Sequence, residues 1–398
     1  MNALRILLIS SALPRDTTAG EVVLYRHFSQ FPELSLAIAT DDSQELLVEN
    51  LLEIKANPLL NRLTKTRFYR WTHDICQCLH PFFNYKILRN YIKTHKPNLI
   101  VTVAEGIHWI AAQKMSQEFN IPLVAIFHDW WPDLAAIHPW AKETLEHRFK
   151  QLYQQSKLAF CVSEGMQQLL GNHPNVQILY PIPDQLTSGL KNNNLTNKKK
   201  FKLVYAGSIS GIYAPMMQGL CAALQGFPEL QLKLFGRQPT WSDVLLQQLH
   251  EQDIYGGFLP RDLLRQELSN ASALLVTISF EAENRRWAQT SFPSKLVEYC
   301  QHNKPIIIWG PDYCSAVRWG RKHQSALVVT SPSPQDLVKA IQELANQPEE
   351  QIRLKNKALE MGQGMFNPEK IQQQFVSSLY QVATLELPYP MYNGFHHL

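Results

Sequence analysis

Short runs of β-branched and aliphatic residues alternate with longer amphipathic stretches along this chain, and the alternation occurs twice, on either side of one polar segment. That rhythm marks parallel strands joined by crossover helices. A parallel pair needs a long connection between its strands, and helices cover both faces of the sheet. In the first half the strand-like runs are Leu4–Ser10, Leu34–Thr40, Asn98–Val103, Leu123–Phe127, Leu158–Val162 and Val176–Tyr180. In the second they are Phe201–Gly207, Leu230–Phe235, Ala273–Ile278, Pro305–Trp309 and Ala326–Thr330. Between Val103 and Leu123 the pattern predicts a helix ending near Asn120, with Ile121-Pro122 opening the next strand.

Pro181-Ile182-Pro183-Asp184 breaks the pattern, and Thr187 to Lys200 is rich in Asn and Lys, with a Ser and a Gly and little apolar content. Such a composition cannot bury a core and reads as a linker. The expected organisation is therefore an α/β domain over 1–184, a linker over 185–200 and a second α/β domain over 201–366. A helix and tail over 367–398 should pack on the outside or cross back to the first domain. Two halves of this kind imply a cleft between them.

The 398 residues are 45% apolar and 18% charged, the balance of packed domains rather than of disorder. A net charge of +4 gives no general attraction to nucleic acid, and none is expected as a partner. The apolar run at Ile6–Ile9 is short for a signal peptide and continues into strand-like sequence, and no stretch has transmembrane length. The expectation is a cytoplasmic protein able to touch a membrane from its inner face. Six cysteines without a CxxC pair suggest reduced thiols and no zinc site.

Glycines directly after strands mark where open α/β sheets bind ligands, because the carboxyl edge exposes free backbone N–H groups. The second half has Gly207-Ser208 and Gly211 after its first strand, and Gly236-Arg237 after its second. Gly256-Gly257 precede Phe258-Leu259, which could face a base. Phe292-Pro293-Ser294-Lys295-Leu296-Val297-Glu298-Tyr299 is the most informative segment. Pro293 suits the first turn of a helix, leaving the N–H groups around Ser294 and Lys295 to face an anion such as a diphosphate. Glu298 follows Lys295 by three positions on the same helix face, where ribose hydroxyls would lie. The competing reading is an ordinary Lys-Glu surface pair on an amphipathic helix.

The run from Pro293 to Pro311, PSKLVEYCQHNKPIIIWGP, resembles the "PSK-L-x-EY…K-P" segment of group 1 (family 4) glycosyltransferases. The order YAGSISG, LKLFG, GGFLPRDLLRQELSNASALLV and SALVVTSPSPQDLVKAIQEL resembles that family too, over roughly Lys202 to Leu344. The resemblance implies the GT-B fold, two Rossmann-like doubly wound parallel-sheet domains facing a cleft. It implies transfer of a sugar from a UDP- or GDP-sugar to a glycan, lipid-linked or small-molecule acceptor with retention at the anomeric carbon. No bound cofactor and no metal are expected, because no DxD motif stands at a strand end and helix termini and basic side chains take over that role.

In the resembled family the second carboxylate of a Glu-x7-Glu signature binds the donor ribose, and Glu298 holds that place. The first falls on Thr290, a departure for which Glu281, Glu283 or Gln289 could substitute. The glycine loop Ser208-Ile209-Ser210-Gly211 also lacks a basic pair, which leaves phosphate neutralisation to Lys295, then Arg237, then Arg285 or Arg286.

In the first half, Thr17-Thr18-Ala19-Gly20 resembles the family's cleft-facing glycine loop, with an ordinary turn as the alternative. Phe127-His128-Asp129 resembles its strand-end "HD" element, in which the histidine faces the transferred sugar. Glu105-Gly106 is a further cleft candidate, and Ser163-Glu164-Gly165-Met166 matches a structural turn. Finally, Arg62, Lys65, Arg67, Arg70, Lys86, Arg89 and Lys93 interleave with Phe68, Tyr69, Trp71, Phe82, Phe83 and Tyr85. These suit either a membrane surface or an acceptor-side helix pair with a buried aromatic face. Beside the transferase, a sugar-nucleotide epimerase of the same shape and a non-catalytic nucleotide-sugar-binding protein remain as alternatives.

Overall fold

The structure, a computed structural model, describes residues 4–16, 19–29, 31, 36–40, 51–54, 62–78, 85–184 and 200–384. Thr17-Thr18, Phe82-Phe83, the linker over 185–199 and the tail from 385 onward lie outside these residues. The chain forms two compact units. One comprises the residues up to Leu179 with those from Gln372 onward, and the other is Tyr180–Ile371. The division thus falls at the break in composition, between Leu179 and Tyr180, rather than after residue 184. Asp184 lies in the second unit, where its carboxylate accepts from the Arg265 guanidinium at 2.5 Å.

The first unit holds a parallel sheet of β1 (Ile6–Ile9), β2 (Leu36–Thr40), β3 (Leu51–Glu53), β4 (Leu99–Val103), β5 (Leu123–Phe127), β6 (Leu158–Cys161) and β7 (Val176–Ile178). Their order is β3-β2-β1-β4-β5-β6-β7. All residues of β1, β2, β4, β5 and β6 are buried, because helices cover both faces and leave no polar side to alternate with. The helix His108–Phe119 ends where expected, at Asn120 in the left-handed conformation (φ +52°). Ser163 caps the helix Glu164–Leu170 by accepting the Met166 N–H, the structural turn read from the sequence.

The last helix, Pro368–Ala383, docks on the first unit from Gln372 onward. Phe375 is fully buried and meets Phe28 edge-on at 5.3 Å, while Gln372 donates to the His27 carbonyl at 2.9 Å. Removing a buried ring of this kind costs about 3–5 kcal/mol, so the docking is firm.

The second unit has β8 (Phe201–Ala206), β9 (Leu230–Phe235), β10 (Ala273–Thr277), β11 (Ile306–Trp309) and β12 (Leu327–Val329), all parallel in the order β12-β11-β10-β8-β9. Strand order reverses between β1 and β4 in the first sheet and between β8 and β10 in the second. Loops leaving the carboxyl ends of strands at such points diverge and open a crevice.

The basic aromatic stretch over 62–93 does not form one surface. Tyr85 is buried in the core, and Arg89 is held by a bidentate bond to Glu118 at 2.7 and 2.9 Å. Phe68, Tyr69 and Trp71 are exposed, so the expected buried aromatic face is absent at those three residues. Burial of the Tyr85 helix against the sheet separates the two parts.

Candidate active site

In the second unit the site is built around Lys295, on the short helix Ser294–Tyr299. Pro293 stands at the N-cap of this helix rather than in its first turn, with ψ +119° still extended. Ser294 and Lys295 are therefore its first residues. Their backbone N–H groups carry no protein acceptor among the described residues. Tyr299, at the far end of the helix, is buried. Its hydroxyl accepts the Ala206 N–H at 2.9 Å and lies 3.3 Å from the Ala206 carbonyl, which pins the helix to the end of β8.

The Lys295 ammonium donates to the Tyr205 hydroxyl at 2.8 Å and sits over two aromatic faces, Tyr205 at 4.1 Å and Tyr213 at 5.4 Å. No carboxylate pairs with it among the described residues. Burial without a counter-charge pulls its pKa from 10.5 down to about 7. Tyr205, 90 positions away at the end of β8, in turn donates to the Ser208 carbonyl at 2.6 Å.

The glycines explain how the backbone comes so close to this amine. Gly207 has φ +148°, which side-chain-bearing residues rarely adopt, and a Cβ there would lie 2.5 Å from the Lys295 Nζ. A Cβ on Gly236 would collide with the Gly207 carbonyl oxygen, and one on Gly256 with the Phe235 ring. Backbone bonds lace these loops together. Gly207 N–H donates to the Phe235 carbonyl at 2.8 Å, Gly236 N–H to the Gly257 carbonyl at 3.0 Å, and the Tyr255 hydroxyl to the Gly236 carbonyl at 3.1 Å. The three expected loops form one continuous wall beside Lys295.

Around that wall, Ser208 and Gly211 are exposed, the latter opening a 3₁₀ turn at φ +58°. Arg237 is exposed and makes no hydrogen bond or ion pair among the described residues. Phe258 projects with 71% of its surface exposed, while Leu259 and Glu298 are half-buried. Thr290, at the first signature position, is fully buried, and its hydroxyl donates to the Arg286 carbonyl of its own helix at 2.9 Å. Glu281 and Glu283 are exposed, Gln289 is half-buried, and Arg285 stacks over Tyr313 at 4.3 Å. Sequence reasoning gave no role to Tyr205 or Tyr213, and named Tyr299 only as the end of the Phe292–Tyr299 segment.

In the first unit, Glu105 follows β4 at the reversal point. Its pKa is raised by burial first, then by the neighbouring charges of Asp129 and Glu21. Glu21 itself pairs with Arg15 at 3.7 Å. Gly106 has φ +66°, and a Cβ there would collide with Ser11. The Ser11 hydroxyl accepts the N–H groups of Ile107 at 3.0 Å and His108 at 3.3 Å, so the loops after β1 and β4 are stitched together. His128 leaves the end of β5 with burial pulling its pKa down to about 4, so its ring is neutral, and it makes no hydrogen bond among the described residues. His128, Asp129 and Glu105 thus occupy one strand-end region. Gly20 is exposed near the start of the helix Ala19–Phe28, with open space around it.

Residues 50–180 match the model of Glycosyltransferase Family 4. Among solved structures, the chain is similar to Alr3699/HepE of Anabaena in complex with UDP, at 15% identity and a TM-score of 0.65, with 95% of this chain and 100% of that one covered. It is similar to a glycosyltransferase from Rickettsia africae ESF-5, at 13% identity and a TM-score of 0.65, with 96% and 99% covered. A third is WaaG, a glycosyltransferase involved in lipopolysaccharide biosynthesis, at 12% identity and a TM-score of 0.58, with 94% and 99% covered. No curated protein matches the sequence. The chain has the GT-B fold. At these identities the structural likeness shows the fold alone, and the Family 4 match is confined to residues 50–180. The matched segment holds Glu105, His128 and Asp129.

Proposed function

We propose that this protein is a glycosyltransferase that takes its sugar from a UDP- or GDP-sugar and transfers it, with retention and without a metal, to a glycan, lipid-linked or small-molecule acceptor. The observation that carries the reading is Lys295, an amine without a carboxylate partner among the described residues, held against a wall of glycine backbone. A diphosphate there gains the Lys295 charge and the N–H groups of Ser294 and Lys295. Those groups stabilise the leaving nucleotide as its bond to the sugar breaks. Arg237 adds a second cation, Glu298 binds the ribose, and Phe258 with Leu259 faces the base. Complexes of HepE with UDP and with UDP-glucose support a uridine donor.

The strand-end group of the first unit serves the sugar and the acceptor. A neutral His128 offers a hydrogen bond to a sugar hydroxyl without repelling an oxocarbenium-like transition state, as an imidazolium would. Asp129 and Glu105 bring negative charge to the same region. No group is assigned as a covalent nucleophile. The six buried thiols fit a reducing cytoplasm.

Thr290 favours a second reading, nucleotide-sugar binding without turnover, because its hydroxyl is spent on its own helix. Incubation with radiolabelled nucleotide sugars separates the possibilities. Transfer or donor hydrolysis supports the transferase, isomerisation of the sugar an epimerase, and binding alone the second reading. Glu298→Ala is expected to weaken donor binding by about 1.5–3 kcal/mol, roughly tenfold or more, by isothermal titration. Unchanged affinity would remove Glu298 from the donor site.

A further inference from the structure

Every residue from Lys65 to Trp71, Lys-Thr-Arg-Phe-Tyr-Arg-Trp, is exposed. Phe68 and Trp71 keep 47% and 54% of their surface, and Trp140, from a different helix, keeps 58%. The Trp71 and Trp140 rings lie 6.1 Å apart, and Leu134 is exposed as well. Arg67 lies over the Phe68 ring at 5.0 Å and Arg70 over the Tyr69 ring at 5.8 Å. Aromatic rings this large are seldom left together in water without a partner.

The rings are held in place from beneath. The helix Tyr69–Cys78 buries its opposite side, and Asp74 on that side is fully buried. The Asp74 carboxylate accepts the His138 backbone N–H at 2.9 Å and the His138 Nδ1–H at 2.6 Å. His138 caps the helix Pro139–Gln155, so this one carboxylate fixes the start of the Trp140 helix against the Trp71 helix. The His138 ring fills the space beside Trp71 at 4.8 Å.

Around Phe68, Tyr69 and Trp71 the exposed charge of the chain segment has one sign. Arg62, Lys65, Arg67 and Arg70 are exposed, and no acidic residue interrupts positions 62–71. Asp74 is engaged with His138, and Asp133 is neutralised by Lys142 at 2.6 Å. Glu143 is an exposed acid on the Trp140 helix. Aromatic rings flanked by Arg and Lys are the composition of bilayer-interface anchors: the rings enter the headgroup boundary while the cations meet lipid phosphates.

We propose that Phe68, Tyr69, Trp71 and Trp140, with Arg62, Lys65, Arg67 and Arg70 beside them, dock this protein on the surface of an anionic lipid bilayer. The docking does not depend on the identity of the donor, and its test does not use activity.

The test is co-sedimentation of the full chain with vesicles of phosphatidylcholine alone and of phosphatidylcholine with phosphatidylglycerol. Binding is expected to the anionic vesicles and to weaken with added salt, because exposed charges are screened. Arg67→Gln with Arg70→Gln is expected to lower the partition coefficient about 25-fold, roughly fivefold per charge near an anionic surface. Trp71→Ser with Trp140→Ser is expected to lower it at least about tenfold, since apolar contact adds to the charge term. All four positions are exposed, so unchanged circular dichroism should certify the fold of both double variants. Equal binding to the two vesicle types, no binding to either, or full binding by either variant overturns the proposal. So does a concentration-dependent dimer that Trp71→Ser with Trp140→Ser abolishes, because the rings would then meet a second copy of the chain.

Discussion

Titration with UDP-glucose across a range of pH probes Lys295 directly. In the free protein burial holds this amine at about 7, with a hydroxyl and two ring faces for company. A diphosphate beside it favours the charged form, so in the complex the same amine titrates higher. Below about pH 6 the amine is charged in both states and this group gives affinity no pH dependence. Above about pH 7 the free protein must take up a proton to bind, and affinity falls about tenfold per pH unit until the bound-state pKa is reached. By about pH 9 the loss is roughly 100-fold, or ~2.7 kcal/mol at 1.36 kcal/mol per unit. Calorimetry in buffers of different ionisation enthalpy counts the proton directly, and near pH 7.5 the uptake should be about three-quarters of a proton per donor bound. Lys295→Met should weaken binding by about 1.5–3 kcal/mol and flatten the profile. Lys295→Arg should flatten it too, because a guanidinium keeps its charge throughout. Level wild-type affinity from about pH 6 to about pH 9, with no buffer-dependent heat, would refute the reasoning.

Gly207→Ala should weaken donor binding at least about tenfold, because its Cβ meets the Lys295 amine and its φ of +148° is strained for alanine; titration calorimetry reads the loss. Tyr299→Phe removes both contacts to Ala206 and should cost about 1–3 kcal/mol of stability, read as a lowered midpoint in urea; an unchanged midpoint would show that the Ala206 bonds do not hold the helix. His128 titrates near 4, so it contributes no inflection to the rate profile between about pH 5.5 and 7; His128→Ala should lower kcat about 10- to 100-fold at every pH in that range. A histidine inflection there, lost in His128→Ala, would contradict the neutral assignment.

The strands were legible because burial on both faces turns a run such as Leu123–Phe127 into an unbroken apolar word. β3 was not, since three half-exposed or exposed residues at a sheet edge carry neither length nor alternation. Within the candidate site, the glycines and Lys295 stood out from their order along the chain. Depression of the lysine pKa did not, because it comes from burial, which the fold creates by bringing together residues distant in the chain. Pro293 illustrates a finer limit: N-cap and first turn differ by one dihedral angle, which proline's sequence preference does not decide. Trp140 escaped notice for the reason Tyr205 did, since its neighbour Trp71 lies 69 positions away.

The wall of Gly207, Gly236 and Gly256 also bears on how this protein could be redesigned. It offers only main-chain atoms, which look the same whatever residue surrounds them, and any side chain added there strikes a carbonyl oxygen, an amine or a ring. Substitution can therefore remove the wall but cannot retune it. If the wall lines the donor site as proposed, preference for one nucleotide or sugar over another falls to side chains at its margins, such as Phe258 and Leu259. A library confined to those margins is where altered donor choice should be found.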